Sequence, residues 1–173
     1  MRAALSHRAD LDFAAVCEEH LDSVFAYLLY LTGNRTVAED LASDTFERAL
    51  RRFKRFDLRR GTPRTWLLTL ARSTALDHFR SEERRRRREG TYALQELDVD
   101  EGDFFGHGFS PAIEAALQSL SAGEREVVAL RVLLDLDGET AARLLGISPT
   151  ACSTRLHRAL QKLEERVRDD VRA

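Results

Sequence analysis

DLASDTFERALRRFKRFDLRRGTPRTWLLTLARSTALDHFRS, residues 40–81, is the stretch from which the fold can be read. Val37, Leu41, Thr45, Ala49 and Phe53 recur along one side of a helix, and Asp40, Asp44 and Glu47 along another. A basic, aromatic run follows: Arg51, Arg52, Phe53, Lys54, Arg55, Phe56, then Arg59 and Arg60. Gly61-Thr62-Pro63 breaks the helix, and Pro63 suits the first position of the next one. On that helix Trp66, Leu70 and Thr74 are expected to face inward, with Arg72, Asp77 and Arg80 outward. Basic groups attract phosphates, and flat side chains stack on unpaired bases. The acidic face is either a solvated surface or a dock for a basic protein. Nucleic acid on one side and a protein on the other is the working expectation.

Upstream, Leu11, Ala14, Cys17, Leu21, Val24, Phe25, Leu28 and Leu31 follow helical spacing from Asp10 onward. Gly33-Asn34 ends that helix, and Thr36 with Glu39 is the expected capping box of the second. Downstream, residues 82–110 lose all period and read as a flexible linker. After Glu82-Glu83 the segment carries five arginines, Arg84–Arg88, and farther on the acidic ELDVDEGDFFGHGFS. The arginines either extend the third helix along phosphates or keep the linker soluble. The acids either imitate nucleic-acid charge in a basic channel or form a solvated tether.

Pro111 begins a second unit, with Ile113, Ala116, Leu117 and Leu120 apolar in a first helix. Ser121 caps the next, with Glu124 at the box position and Val127, Val128, Leu130, Val132 and Leu133 on its buried side. A short helix over 139–145, a Gly146-Ile147-Ser148 turn and a longer helix from Pro149 to about Val167 form a helix-turn-helix layout. Ala142 supplies the small residue for close packing, and Ile147 plugs the turn. Pro149, Thr150, Ser153, Thr154, His157 and Arg158 are the candidate major-groove face. Arg131 and Arg143 are candidate phosphate clamps, while Leu156, Leu160 and Leu163 are expected in the core and Cys152 under the helix.

The whole chain fits this picture. Its 173 residues, 43% of them hydrophobic, suit one domain or two small ones. Net charge is only −2, so basic patches are local rather than global. Cys17 and Cys152 lie far apart without metal-ligand spacing, which fits free thiols in a reducing cytoplasm. No apolar run reaches membrane-spanning length, and no signal-peptide core is visible. Neither a P-loop, paired catalytic carboxylates, a nucleophile–base set nor a metal-ligand pattern is present, so no enzyme activity, cofactor or metal is expected.

The order DLASDTF, FDLRRGTPRTWL, LARSTALDHFR resembles the N-terminal conserved domain of bacterial sigma factors, most closely the small extracytoplasmic-function type. LSAGEREVVALRVLLDLDGETAARLLGISPTACSTRLHRALQKLEE is similar to the C-terminal domain of the same group, which reads the −35 element. The resemblance implies an all-α chain of two small helical domains, residues 10–81 and 111–168, joined by a flexible linker over 82–110, the second carrying a helix-turn-helix. It implies that Asp40, Leu41, Asp44 and Phe46 touch core RNA polymerase. By the same resemblance Arg60, Gly61, Thr62 and Arg64 line a pocket for a flipped base of the −10 element. Arg72, Ser73 and Asp77 then face promoter DNA from the third helix. Three positions depart from the family habit: Ser43 stands for Gln, Pro63 for an aromatic, Ser73 for Asn. The implied function is promoter-specific initiation, restrained by an anti-sigma factor. The alternative is a stand-alone helix-turn-helix regulator binding duplex DNA as a dimer.

Overall fold

The computed structural model describes residues 12–88, 116, 117 and 119–172. The described residues form six α-helices and no strand. Helix α1 spans Phe13–Thr32, α2 Arg35–Phe53 and α3 Pro63–Arg88, with a 3₁₀ turn over Leu58–Arg60 between the last two. Helix α4 spans Ala122–Val128 and runs into a π-helical turn, Ala129–Leu133. Helices α5, Gly138–Leu145, and α6, Pro149–Arg172, follow.

Local chemistry sets most boundaries. The Asp12 side chain caps α1, and Gly33 closes it in the left-handed region, φ 65°. Asn34, not Thr36, caps α2: its Oδ1 accepts from Val37 N at 3.0 Å. Asn34 follows the left-handed glycine in extended backbone, so the orphan amides of α2 meet its side chain first. Thr36 is thereby inside the first turn, and Glu39 pairs with Arg35 at 2.9 Å. Helix α3 continues past Ser81 through all five arginines to Arg88. The acidic segment after it, and Ile113, lie outside the described residues.

Helices α1, α2 and α3 pack on one another. Val24, Tyr27, Leu28, Leu67 and Leu68 are the deepest apolar groups, and each leucine so buried contributes about 1.5–3 kcal/mol. Small residues (Ala38, Ala42 and Ala49 on α2, Ala71 and Ala75 on α3) line the buried faces and allow close approach. Thr32, Thr45 and Thr74 are buried as well, and each returns its hydroxyl to the carbonyl four residues back. The buried stripe of α1 is rotated from the expected one. Tyr27 and Tyr30 are inside, while Leu21 is 49% exposed and Ala14 is exposed.

In the C-terminal helices, Ser121 and Glu124 form the expected capping box. Val127, Val128 and Leu130 are buried, but Val132 and Leu133 are not. The π turn explains this. Leu134 N donates to Ala129 O across five residues, which widens the turn and carries Leu134 and Leu136 into the core instead. On α6 Ala159 is fully buried and Leu160 is 44% exposed, reversing the expectation for Leu160. Leu156 and Leu163 pack against the core as expected, and Cys152 is buried beneath the helix. The buried residues of both helical groups join in one cluster running from Val16 to Ala159.

Candidate polymerase and nucleic-acid interface

Helix α2 carries its acids on the solvent side because its alanines and Thr45 occupy the other. Asp40 and Asp44 are exposed, and Glu47 is held by Arg51 at 3.1 Å. Leu41 does not belong to this face. It is 5% exposed and part of the core, as the Val37–Phe53 stripe requires, so it cannot touch a partner directly. Phe46 is half-buried against the core. Leu50, one turn beyond Phe46 and 58% exposed, supplies an apolar spot that the buried-stripe reading passed over.

The segment between α2 and α3 builds a small cavity of about 210 Å³, lined by Arg55, Phe56, Asp57, Arg60, Gly61, Thr65, Trp66 and Thr69. Aromatic packing forms one wall: the Phe56 and Trp66 ring centroids are 4.8 Å apart, and Phe53 lies 6.3 Å from Trp66. Asp57 caps the 3₁₀ turn and takes the Arg59 guanidinium in a fork at 3.0 and 3.1 Å. That hydrogen bond and charge raise the Arg59 pKa further above its ordinary value. Gly61 has φ 153°, and a Cβ there would sit 3.1 Å from Thr65 Oγ1. The backbone angle favours glycine at this position, and a side chain would also require Thr65 to give by a few tenths of an ångström. The cavity is smaller than the roughly 300–1,000 Å³ of pockets for drug-sized ligands and suits a single flat ring.

Arg60 and Gly61 therefore both line this cavity. Thr62 caps α3, accepting from Thr65 N at 3.2 Å, and stands at its edge. Arg64 does not line it. The Arg64 Nη2 donates to Leu134 O at 2.7 Å, on the C-terminal helices. Phe56, Thr65 and Trp66 take the lining role. The Phe/Trp enrichment of the run was the available signal, but the core reading of Trp66 absorbed it.

Along α3, Ser73 is exposed. Asp77 is exposed too, but accepts from Arg48 Nη1 at 3.1 Å with Arg80 at 3.8 Å. Arg72 is not turned to solvent. Its Nε donates to Glu126 Oε1 at 2.9 Å and its Nη2 to Oε2 at 3.3 Å.

The helix-turn-helix closes as its residues demand. Asp137 caps α5, and hydrogen bonds from Thr140 lower its pKa. Gly146, φ 68°, ends the helix: its N–H reaches Arg143 O at 3.2 Å, and Ile147 N reaches Ala142 O at 3.0 Å. Ala142 is buried and Ile147 packs on the core. Ser148, the last residue of the turn, also caps α6, its hydroxyl accepting from Ala151 N at 3.1 Å. Pro149, Thr150, Ser153, Thr154, His157 and Arg158 all stand exposed on the N-terminal half of α6. Arg143 is exposed beside Thr140, a placement open to a phosphate. Arg131 is not so placed: it donates to Leu136 O and ties the π turn shut.

A three-helix body with an aromatic, arginine-rimmed cavity between its second and third helices is followed by a helix-turn-helix, the layout of a nucleic-acid-binding class of protein. Two family models match the chain: Sigma-70 region 2 over residues 16–85 and Sigma-70, region 4 over 110–163. The chain is 32% identical to ECF RNA polymerase sigma factor BldN of Streptomyces coelicolor, over 92% of this chain and 62% of that protein. It is also 32% identical to ECF RNA polymerase sigma factor SigC of Mycobacterium tuberculosis, over 81% of this chain and 75% of that one. The sigma factor RpoE of Bartonella quintana, solved with the anti-sigma factor NepR, shares the fold with a TM-score of 0.76 at 24% identity, covering 91% of this chain and 97% of that one. The chain belongs to the ECF branch of the sigma-70 family of transcription initiation factors.

Proposed function

We propose that this chain binds core RNA polymerase and directs it to promoters carrying −10 and −35 elements. The N-terminal body is assigned to polymerase docking and −10 opening, the C-terminal body to the −35 element. Asp40 and Asp44, with Phe46 and Leu50 beside them, are the docking face for a basic, partly apolar partner surface. A base flipped from the −10 strand stacks against Phe56 and Trp66, while Arg60 and Arg55 hold its backbone. Extraction of a base costs a few kcal/mol in lost stacking, which the aromatic wall offsets. The exposed face of α6 enters the major groove, with Arg158 and Arg143 on bases or phosphates.

As an initiation factor the chain is assigned to the cytoplasm, where the polymerase works, with the covalent chemistry left to that enzyme. Among its described helices none is long and apolar enough to cross a membrane. No described cluster of three or more metal-ligating side chains occurs either. An anti-sigma factor, the class of partner solved with the RpoE relative, is the expected restraint. The region 2 match over residues 16–85 favours this reading over a stand-alone regulator.

The observation that carries the proposal is the aromatic-walled cavity beside Gly61. It is tested with permanganate, which oxidises unstacked thymines, on a polymerase–promoter complex formed with wild type or Gly61→Ala. The alanine crowds Thr65 and strains the backbone at the cavity rim, so thymine reactivity in the −10 strand should fall while core binding persists. Undiminished reactivity would remove the cavity from the opening step.

A further inference from the structure

Helix α3 carries an exposed stripe along most of its length. Thr69, Ser73, Asp77, Arg80, Arg84 and Arg88 follow one another at spacings of three and four residues, and all six are exposed. The stripe starts at the cavity by Gly61, since Thr69 is part of the cavity wall. It ends in arginine. Asp77 is its one acid, and Arg48 of α2 takes that carboxylate at 3.1 Å. Arg64 and Arg72 lie on other faces of the helix, turned to Leu134 and Glu126.

The last two turns of α3 are strongly basic. Residues 82–88 hold five arginines against two glutamates, a net charge of +3. Glu82 and Glu83 pair with Arg85 and Arg87. Arg84 and Arg88 have no acidic partner among the described residues. Arg80 is 3.8 Å from Asp77, beyond hydrogen-bond reach, and 67% exposed. The helix dipole favours cations in the last turn, here Arg85–Arg88, but that attraction does not extend to Arg80 and Arg84. A merely solvated tail needs no shared face.

At 1.5 Å per residue, roughly 16 Å separates Thr69 from Arg80 along α3, and roughly 28 Å separates it from Arg88. Duplex DNA advances about 3.4 Å per base pair. With a base held in the cavity and α3 laid along the DNA, the three arginines meet phosphates about five to eight base pairs away. The chain leaves the arginine end toward the body assigned to the −35 element, which places that end on the −35 side. We propose that Arg80, Arg84 and Arg88 grip the phosphate backbone of the duplex between the two promoter elements. The guanidinium fork matches phosphate oxygens, and such a contact adds affinity without reading sequence. This inference rests on the cavity being the −10 base site.

The test uses holoenzyme assembled from core polymerase and the full chain, on a duplex promoter fragment selected by its transcription. Fluorescence anisotropy gives affinity over a range of salt, and hydroxyl-radical cleavage maps the protected backbone. Arg84→Gln with Arg88→Gln should make the slope of log affinity against log salt shallower by about 2. Between about 50 and 200 mM salt the variant should then lose about tenfold less affinity than wild type. Backbone protection between the elements should fall at the same positions whatever the sequence there. Arg85→Gln with Arg86→Gln, equal in charge but off the stripe, should keep the wild-type slope. An unchanged slope in the first variant, or an equal change in both, would overturn the proposal. Permanganate reactivity separates the two readings. If it persists in wild type and falls in Gly61→Ala beside an unchanged slope, only the arginine contact is lost. Undiminished reactivity in Gly61→Ala removes the cavity reading, and this inference with it.

Discussion

At the scale of single residues, the acidic face and the core meet at neighbouring positions. Asp40 and Leu41 are consecutive, yet one is exposed and the other 5% exposed. Family resemblance placed both on polymerase, whereas the spacing of Val37, Leu41 and Thr45 placed Leu41 inside, and packing follows the spacing. The two kinds of residue should separate experimentally. Asp40→Ala with Asp44→Ala should shift unfolding by no more than about 0.5 kcal/mol and weaken core polymerase binding. Leu41→Ala should cost about 2–5 kcal/mol in stability. Denaturant unfolding beside a core-binding titration reads both. Full binding by the double alanine variant would dissolve the docking face. Arg64 and Arg72 were the residues least legible in the sequence. Their partners lie in the C-terminal helices, and no local period reports a contact that distant.

At the scale of elements, most helix ends and turns followed from side-chain chemistry where a glycine or a cap fixed the backbone, the exception being α2, capped by Asn34 and not Thr36. Gly33, Ser121 with Glu124, and Gly146 all act as their types require. The π turn was hidden because periodicity assumes a constant helical pitch. One widened turn moved Val132 and Leu133 out and Leu134 and Leu136 in. A second hidden link joins α4 to α6. Glu124, 8% exposed, accepts from Lys162 at 2.9 Å and from the Ser121 N–H at 2.9 Å. Burial pushes its carboxyl up, but the Lys162 ammonium and the Ser121 donors prevail and bring the pKa down to about 2. A carboxyl depressed in the folded state stabilises above its unfolded value near 4.5 and loses that contribution as pH falls toward about 2. Thermal melting should therefore show wild type above Glu124→Gln at neutral pH, with the gap shrinking below about pH 4.5. A gap independent of pH would mean that the ionised pair does not hold α4 to α6.

At the scale of the whole molecule, the all-α class and the order of its parts were open to reading: a three-helix body with a Gly-Thr-Pro hinge, then a helix-turn-helix. How the parts sit together was not. Continuous burial from Val16 to Ala159 and the Arg72–Glu126 fork belong to the folded chain alone. They give the molecule a closed form in which the cavity by Gly61 and the α6 face stay exposed while two α3 arginines are withdrawn. Initiation at paired promoter elements is the proposed activity that uses the acidic face of α2, the cavity by Gly61 and the exposed face of α6 together. Its most direct measure is run-off transcription from a genomic fragment library with purified core polymerase and this chain. Transcripts should arise from a discrete set of start sites that core enzyme alone does not use, each preceded by a shared pair of spaced motifs. A transcript profile identical to that of core enzyme alone would contradict the account.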